Sequence, residues 1–131
     1  RHGVVFALLL DAYQRAQQNL ERTPWISRLT VEHICAADYI QSHPPQPDVV
    51  YCDPMFPENN PSANVKKNMH LLQQLVGPDT EADALLPLAF RFAKRRVIVK
   101  RPPRAPFLSN HPPSLQYFQK NCRFDVYDLH R

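Results

Sequence analysis

The stretch VVYCDPMFP, residues 49–57, runs four strand-forming residues into an acid, a proline, a thioether, an aromatic ring and a second proline. A near-continuous apolar run of this length marks a strand covered on both faces. In an open parallel sheet, ligands sit outside the carboxyl ends of the strands, so Asp53 is expected at the functional rim. Its carboxylate can accept hydrogen bonds from an amine, the Pro54 carbonyl can accept another, and the prolines stiffen the turn. Phe56 supplies a ring on which a base can stack, an interaction worth roughly 1–3 kcal/mol. Two acceptors beside a stacking ring describe a site for the exocyclic amino group of a flat base. The lone pair of such a nitrogen is delocalised into the ring, and in-plane acceptors on its protons favour a pyramidal, attacking form. Alkylation then depends on positioning rather than on a strong base, and the base must be flipped out or unpaired to enter. Asp-Pro is also a common turn opener, and Phe56 can equally cover a core, so these residues alone leave both readings open.

The elements that would position this rim can be read along the chain. GVVFALLLDAYQRAQQNL repeats apolar residues at Val5, Leu8, Leu9, Ala12, Ala16 and Leu20, a helical period with one broad face. RLTVEHICAAD alternates as a short strand ending near Cys35, and the prolines of SHPPQP then exclude helix and ladder alike. After the strand at residues 49–52, Ser62 is a fair cap for a helix ending at Gly77-Pro78. Thr80 and Asp83 resemble a capping box for a second helix through Ala93, with Pro87 predicting a kink or two short helices. Residues 96–100, RVIVK, form another buried strand, and two strand-like runs parted by Lys120-Asn121-Cys122 close the chain as a hairpin. Alternating strands and helices predict a single α/β domain: a mainly parallel sheet, helices on both faces, and a C-terminal antiparallel hairpin.

Composition narrows the class. At 131 residues and 44% apolar content the chain can bury a core, yet it holds Pro 14 and only Gly 2. The net charge of +4 is concentrated: Arg91, Lys94, Arg95, Arg96, Lys100, Arg101 and Arg104 fall in one acid-free run. Such a run is compatible with a polyanion but equally with a solvated face. Cys35, Cys52 and Cys122 are odd in number and widely spaced, which argues against a disulfide framework and for a reducing, cytoplasmic setting. No CxxC or HxxxH pair occurs, so no metal site is expected, and no apolar run reaches the length of a membrane span.

Asp53-Pro54-Met55-Phe56 resembles the [DNS]-P-P-[FYW] motif of Rossmann-like, S-adenosylmethionine-dependent amino-group methyltransferases, with Met55 replacing the second proline. VVYCDPMFP, SANVKKNM, LVGPD and RRVIVKRP together closely resemble the RsmJ family, which methylates the N2 amino group of a guanine in small-subunit (16S) ribosomal RNA. The resemblance runs through nearly the whole chain. It implies S-adenosylmethionine as cofactor and small-subunit ribosomal RNA, or the ribosomal subunit, as partner. It implies that Asp53, Pro54 and Phe56 form the catalytic pocket, and that Arg1, Ala37, Asp38 and Asp53 lie against the cofactor, Asp38 accepting from the adenine amine. Lys66, Lys67, Lys100 and Arg101 are the cations expected on RNA phosphates. Such enzymes carry a Gly-rich loop after their first strand and then an acidic ribose ligand; this chain has neither. The 131 residues therefore read as the C-terminal part of one methyltransferase domain whose N-terminal part is absent. An amino-group methyltransferase acting on DNA or another RNA, and a non-catalytic basic RNA-binding module, are the alternatives.

Overall fold

The structure is a computed structural model and describes residues 2–43, 47–54, 77 and 82–129. The chain divides into two compact units, Arg1–Cys35 and Ala36–Arg131.

In the first unit, helix α1 (Gly3–Gln17) is followed by a 3-10 turn (Pro24–Arg28) that carries the buried Ile26. The Thr23 hydroxyl lies 2.7 Å from both the Ala16 and the Asn19 carbonyl and can donate its one proton to either, tying the turn to the helix end. The chain then returns along the helix: the Tyr13 hydroxyl donates to the Leu29 carbonyl at 2.8 Å, and Phe6 stacks on His33 with centroids 4.5 Å apart. Leu8 and Leu9, expected on the covered face, are 66% and 57% exposed. The strand expected to end near Cys35 does not form: residues 29–35 lack ladder pairing. Alternating β-branched residues make a strand only where a neighbouring backbone completes the ladder, and the described residues of this unit supply none.

The second unit is built on a four-stranded sheet in the order β1-β2-β4-β3, from β1 (Val49–Cys52), β2 (Arg96–Arg101), β3 (Leu115–Phe118) and β4 (Arg123–Asp128). β1 and β2 run parallel with Cys52 opposite Val99; β2–β4 and β3–β4 are antiparallel. The described sheet is therefore mixed, with its parallel pair at one side and the expected hairpin at the other. The entry to β1 is tied down before pairing starts, because Lys94 N–H donates to Pro47 O and Arg95 N–H to Asp48 O.

Side chains alternate across this sheet. One face carries Cys52, Val97, Val99 and Tyr127 against helix α3 (Ala82–Phe92), whose Ala82, Leu86 and Ala89 are buried with Ala93 just beyond. Small residues at helical spacing let α3 lie close to the strands. Pro87 leaves α3 a single helix, because it sits on the exposed side where the Asp83 carbonyl that loses its N–H partner can take water. Asp83 Oδ1 accepts the Ser109 N–H at 2.5 Å and ties down the 3-10 turn Leu108–Asn110, where Ser109 and Asn110 have φ near +50° (54° and 52°). Helix α2 (Ala36–Ser42) packs on α3 through an edge contact of Tyr39 with Phe92. The opposite face of the sheet presents Tyr51, Arg96, Ile98, Tyr117, Phe124 and Val126 around an open groove of about 310 Å³. Gly77 has the left-handed φ of 73° suited to a helix stop; the helix expected before it, with its Ser62 cap, and Thr80 of the capping box lie outside the described residues.

Candidate active site

Asp53 follows the last residue of β1 and Lys100 is the penultimate residue of β2. With Cys52 opposite Val99 in a parallel register, Asp53 and Lys100 are next in line, and both project from the face opposite α3. Their side chains meet: Lys100 Nζ donates to Asp53 Oδ2 at 2.9 Å. Each is partly open to water, 40% for Lys100 and 48% for Asp53, as a site at a sheet rim must be. The bond to the carboxylate raises the Lys100 pKa above its ordinary value, against a smaller opposing effect of burial. Tyr51, two residues before Asp53 on the same face, has its phenol pushed upward by burial and then by the Asp53 charge.

The loop after β2 is held from beneath. Arg101 is 5% exposed, and its Nε donates to Pro106 O at 3.0 Å, with Nη2 reaching the same carbonyl. Arg123 lies opposite Arg101 in the β2–β4 register, donates from Nη1 to Pro103 O at 2.9 Å, and stands 5.2 Å over the Phe107 ring. Burial and then the neighbouring Arg123 guanidinium lower the Arg101 pKa, while Asp125 pulls it back. The turn between β3 and β4, carrying Lys120 and Cys122, is at this same end of the sheet.

Of the residues expected to act together, the structure joins Asp53 with Lys100 and puts Pro54, half-buried, beside them. Ala37 and Asp38 occupy the first turn of α2, a different element. Arg101 turns inward to the Pro106 carbonyl rather than outward with Lys100. Arg1, Phe56, Lys66 and Lys67 lie outside the described residues. The basic run also divides: Lys94 and Arg95 are exposed at the amino end of β2, whereas Lys100 and Arg104 are at the carboxyl end with Asp53. Six strand residues at about 3.3 Å each put roughly 20 Å between the two groups. Sequence reasoning passed over Tyr51, Arg123 and Asp125. The signal for Tyr51 was its spacing of two from Asp53 on a strand; for Arg123 and Asp125 it was opposite charge at that same spacing inside an apolar run.

Chemically, the site is a carboxylate fixed at one oxygen, with Oδ1 unpartnered among the described residues and an aromatic side chain on its own face. That acceptor suits an amine or amide N–H. Among the described residues no group of three or more His, Cys, Asp or Glu side chains could hold a metal ion, and no helix is long and apolar enough to cross a membrane.

A family model described as "Putative SAM-dependent methyltransferase" matches residues 1–129. The chain is 50% identical over 128 residues to "Ribosomal RNA small subunit methyltransferase J" of Aeromonas salmonicida, covering 97% of this chain and 51% of that protein. It is 48% identical over 132 residues to the protein of that name from Tolumonas auensis, covering 100% and 53% respectively. The crystal structure of a SAM-dependent methyltransferase from Neisseria gonorrhoeae superimposes with a TM-score of 0.70 at 34% identity, over 97% of this chain and 52% of that one. The chain thus spans about half the length of the curated relatives it matches. With a mixed α/β sheet, a carboxylate at the ends of its parallel strands and a match along almost its whole length, the chain belongs to this SAM-dependent methyltransferase family.

Proposed function

We propose that the protein containing this chain transfers a methyl group from S-adenosylmethionine to the N2 amino group of a guanine in small-subunit ribosomal RNA. The observation that carries this reading is the Asp53 carboxylate, held by Lys100 at the carboxyl ends of two parallel strands with Pro54 next to it. Its support from likeness is that relatives 48–50% identical bear the name of a small-subunit ribosomal RNA methyltransferase.

In this reading Asp53 Oδ1 and the Pro54 carbonyl accept the two N–H groups of the guanine amine. They orient its nitrogen and draw the lone pair out of conjugation, so that positioning supplies the rate. Phe56 stacks on the flipped base. Ala37 and Asp38 lie along the cofactor, the Asp38 carboxylate accepting from the adenine amine. Both acids are acceptors of the kind that the amino groups of S-adenosylmethionine require, and both are solvent-accessible at element ends, so the residues fit that molecule. When bound, it supplies an electrophilic methyl group on a sulfonium. Lys66 and Lys67 are the cations that the family resemblance puts on the RNA backbone, and exposed Arg104 is a further one on the rim; Arg101, expected with them, is turned inward to the Pro106 carbonyl, and Lys100 is held by Asp53. The place of action for such an enzyme is the cytoplasm, where ribosomal subunits are assembled.

The test is transfer of label from S-adenosylmethionine by the full-length protein, followed by nucleoside analysis. N2-methylguanosine in small-subunit RNA is expected, with loss of at least about 100-fold in rate for Asp53→Ala. Label on adenine, label on DNA only, or RNA binding without transfer would each overturn the assignment.

A further inference from the structure

We propose that Lys100 is a positioning residue for Asp53, fixing which carboxylate oxygen faces the substrate, and does not bind an RNA phosphate. The inference rests on the proposed amino-group methylation and assigns a role within that site. Three observations carry it. First, Lys100 is the penultimate residue of β2 and Asp53 directly follows β1, next in line in the parallel register, so their 2.9 Å contact is set by the pairing of the two strands just before it. Second, the contact is made to Oδ2 alone, and Oδ1 has no partner among the described residues. A carboxylate bound at one oxygen has lost its rotation, and the remaining oxygen has a defined direction. Third, a phosphate close enough to bond Lys100 Nζ would stand against the Asp53 carboxylate, and like charges at that distance repel. Arg104, on the same rim, and Lys94 and Arg95, at the far end of β2, are exposed and make no ion pair among the described residues, so they meet an anion without that penalty.

The surroundings of Lys100 fit this role. Phe124 is directly opposite it on β4, and Tyr51 lies on the same face of β1.

The test compares Lys100→Met, Lys100→Arg, Arg104→Met and Asp53→Asn in the full-length protein. Three readouts are needed: single-turnover methyl transfer, the salt dependence of RNA binding, and the Lys100 ammonium pKa by NMR. Lys100→Met is expected to lower the transfer rate about 100-fold with KM for RNA and the salt slope unchanged, and Lys100→Arg to recover part of the rate. Arg104→Met is expected to weaken RNA binding and reduce its salt slope by about 1. Asp53→Asn is expected to return the Lys100 pKa toward its ordinary value. A Lys100→Met variant with normal transfer and a salt slope reduced by about 1 would make Lys100 a phosphate ligand and overturn the proposal. No change in either readout would overturn it too. If the wild-type protein transfers no methyl group, the functional reading fails by itself. The salt slope and the NMR titration still decide whether Lys100 serves Asp53 or the RNA.

Discussion

The Asp125 carboxylate is fully enclosed and takes two parallel hydrogen bonds from Arg123, Nε to Oδ1 at 2.8 Å and Nη2 to Oδ2 at 3.0 Å. The two residues are two apart on β4 and therefore on one face, the face that packs on α3. Gln116 of β3 adds a third donor to Oδ1 at 2.9 Å. Because Arg123 also donates to the Pro103 carbonyl, this buried pair links the closing hairpin to the loop that follows Lys100.

Removing one member of a buried ion pair leaves the other uncompensated, at a cost of about 3–5 kcal/mol. Here Asp125→Ala also leaves Arg101 and Arg123, opposite each other on β2 and β4, without the anion that offsets their repulsion. We expect urea unfolding of the full-length protein to show a loss in that range for Asp125→Ala. The Arg123→Met/Asp125→Leu double variant should regain more than half of it, since apolar groups of similar size replace both charges. Equal losses for single and double variants would mean that pairing is not the source.

Cys52 is buried among Val97, Val99 and Leu86, and burial pushes its thiol up from 9.0 to about 11. At pH 8 a maleimide should label the half-exposed Cys35 and Cys122 well before Cys52, and all three alike after denaturation. The same shift predicts alkaline sensitivity. A thiol whose folded pKa lies above its unfolded one stabilises the fold fully below about pH 9, and that contribution is lost as pH rises toward 11. A shift of this size corresponds to on the order of 2–3 kcal/mol. Tyr127, raised from 10.0 to about 12 by burial and then by Asp125, extends the loss to higher pH. Thermal midpoints measured from pH 8 to 12 should fall, and Cys52→Ala should flatten the part of the fall between 9 and 11.

Leu86 is 1% exposed and packs α3 onto the strands. Its truncation to alanine removes buried methyl groups and leaves a cavity among Cys52, Val97, Val99 and Leu108. Denaturant unfolding should register a loss of about 2–5 kcal/mol. A loss below 1 kcal/mol would mean that α3 collapses onto β1 and β2 to close the gap.

Arg96 and Asp128 face each other across β2 and β4 with Nε 2.6 Å from Oδ1, but Arg96 is 46% exposed. Water and salt screen such a pair, so Arg96→Ala should cost only about 0.2–1 kcal/mol, and less still in high salt. Unfolding curves at two ionic strengths would separate this pair from Arg123 and Asp125, whose contribution should barely respond.

Much of this protein is written locally. The strand at residues 49–52, its abrupt end at Asp53-Pro54, the strand that begins at Arg96 and the closing hairpin follow from apolar runs and prolines acting within a few residues. Asp53 at the sheet rim follows from them, and the likeness of VVYCDPMFP and RRVIVKRP to a methyltransferase family holds along the chain. What tertiary structure decided are the pairings between distant residues. Lys100 and Asp53, 47 positions apart, meet only because β1 and β2 adopt one register, and that register gives Lys100 a carboxylate for a neighbour. Arg101, one residue on, points to the other face and is buried under the proline-rich loop, so two adjacent cations of one basic run have opposite fates. The strand read before Cys35 failed for the converse reason: its alternation was correct, but a ladder needs a second backbone, and no local pattern can supply one.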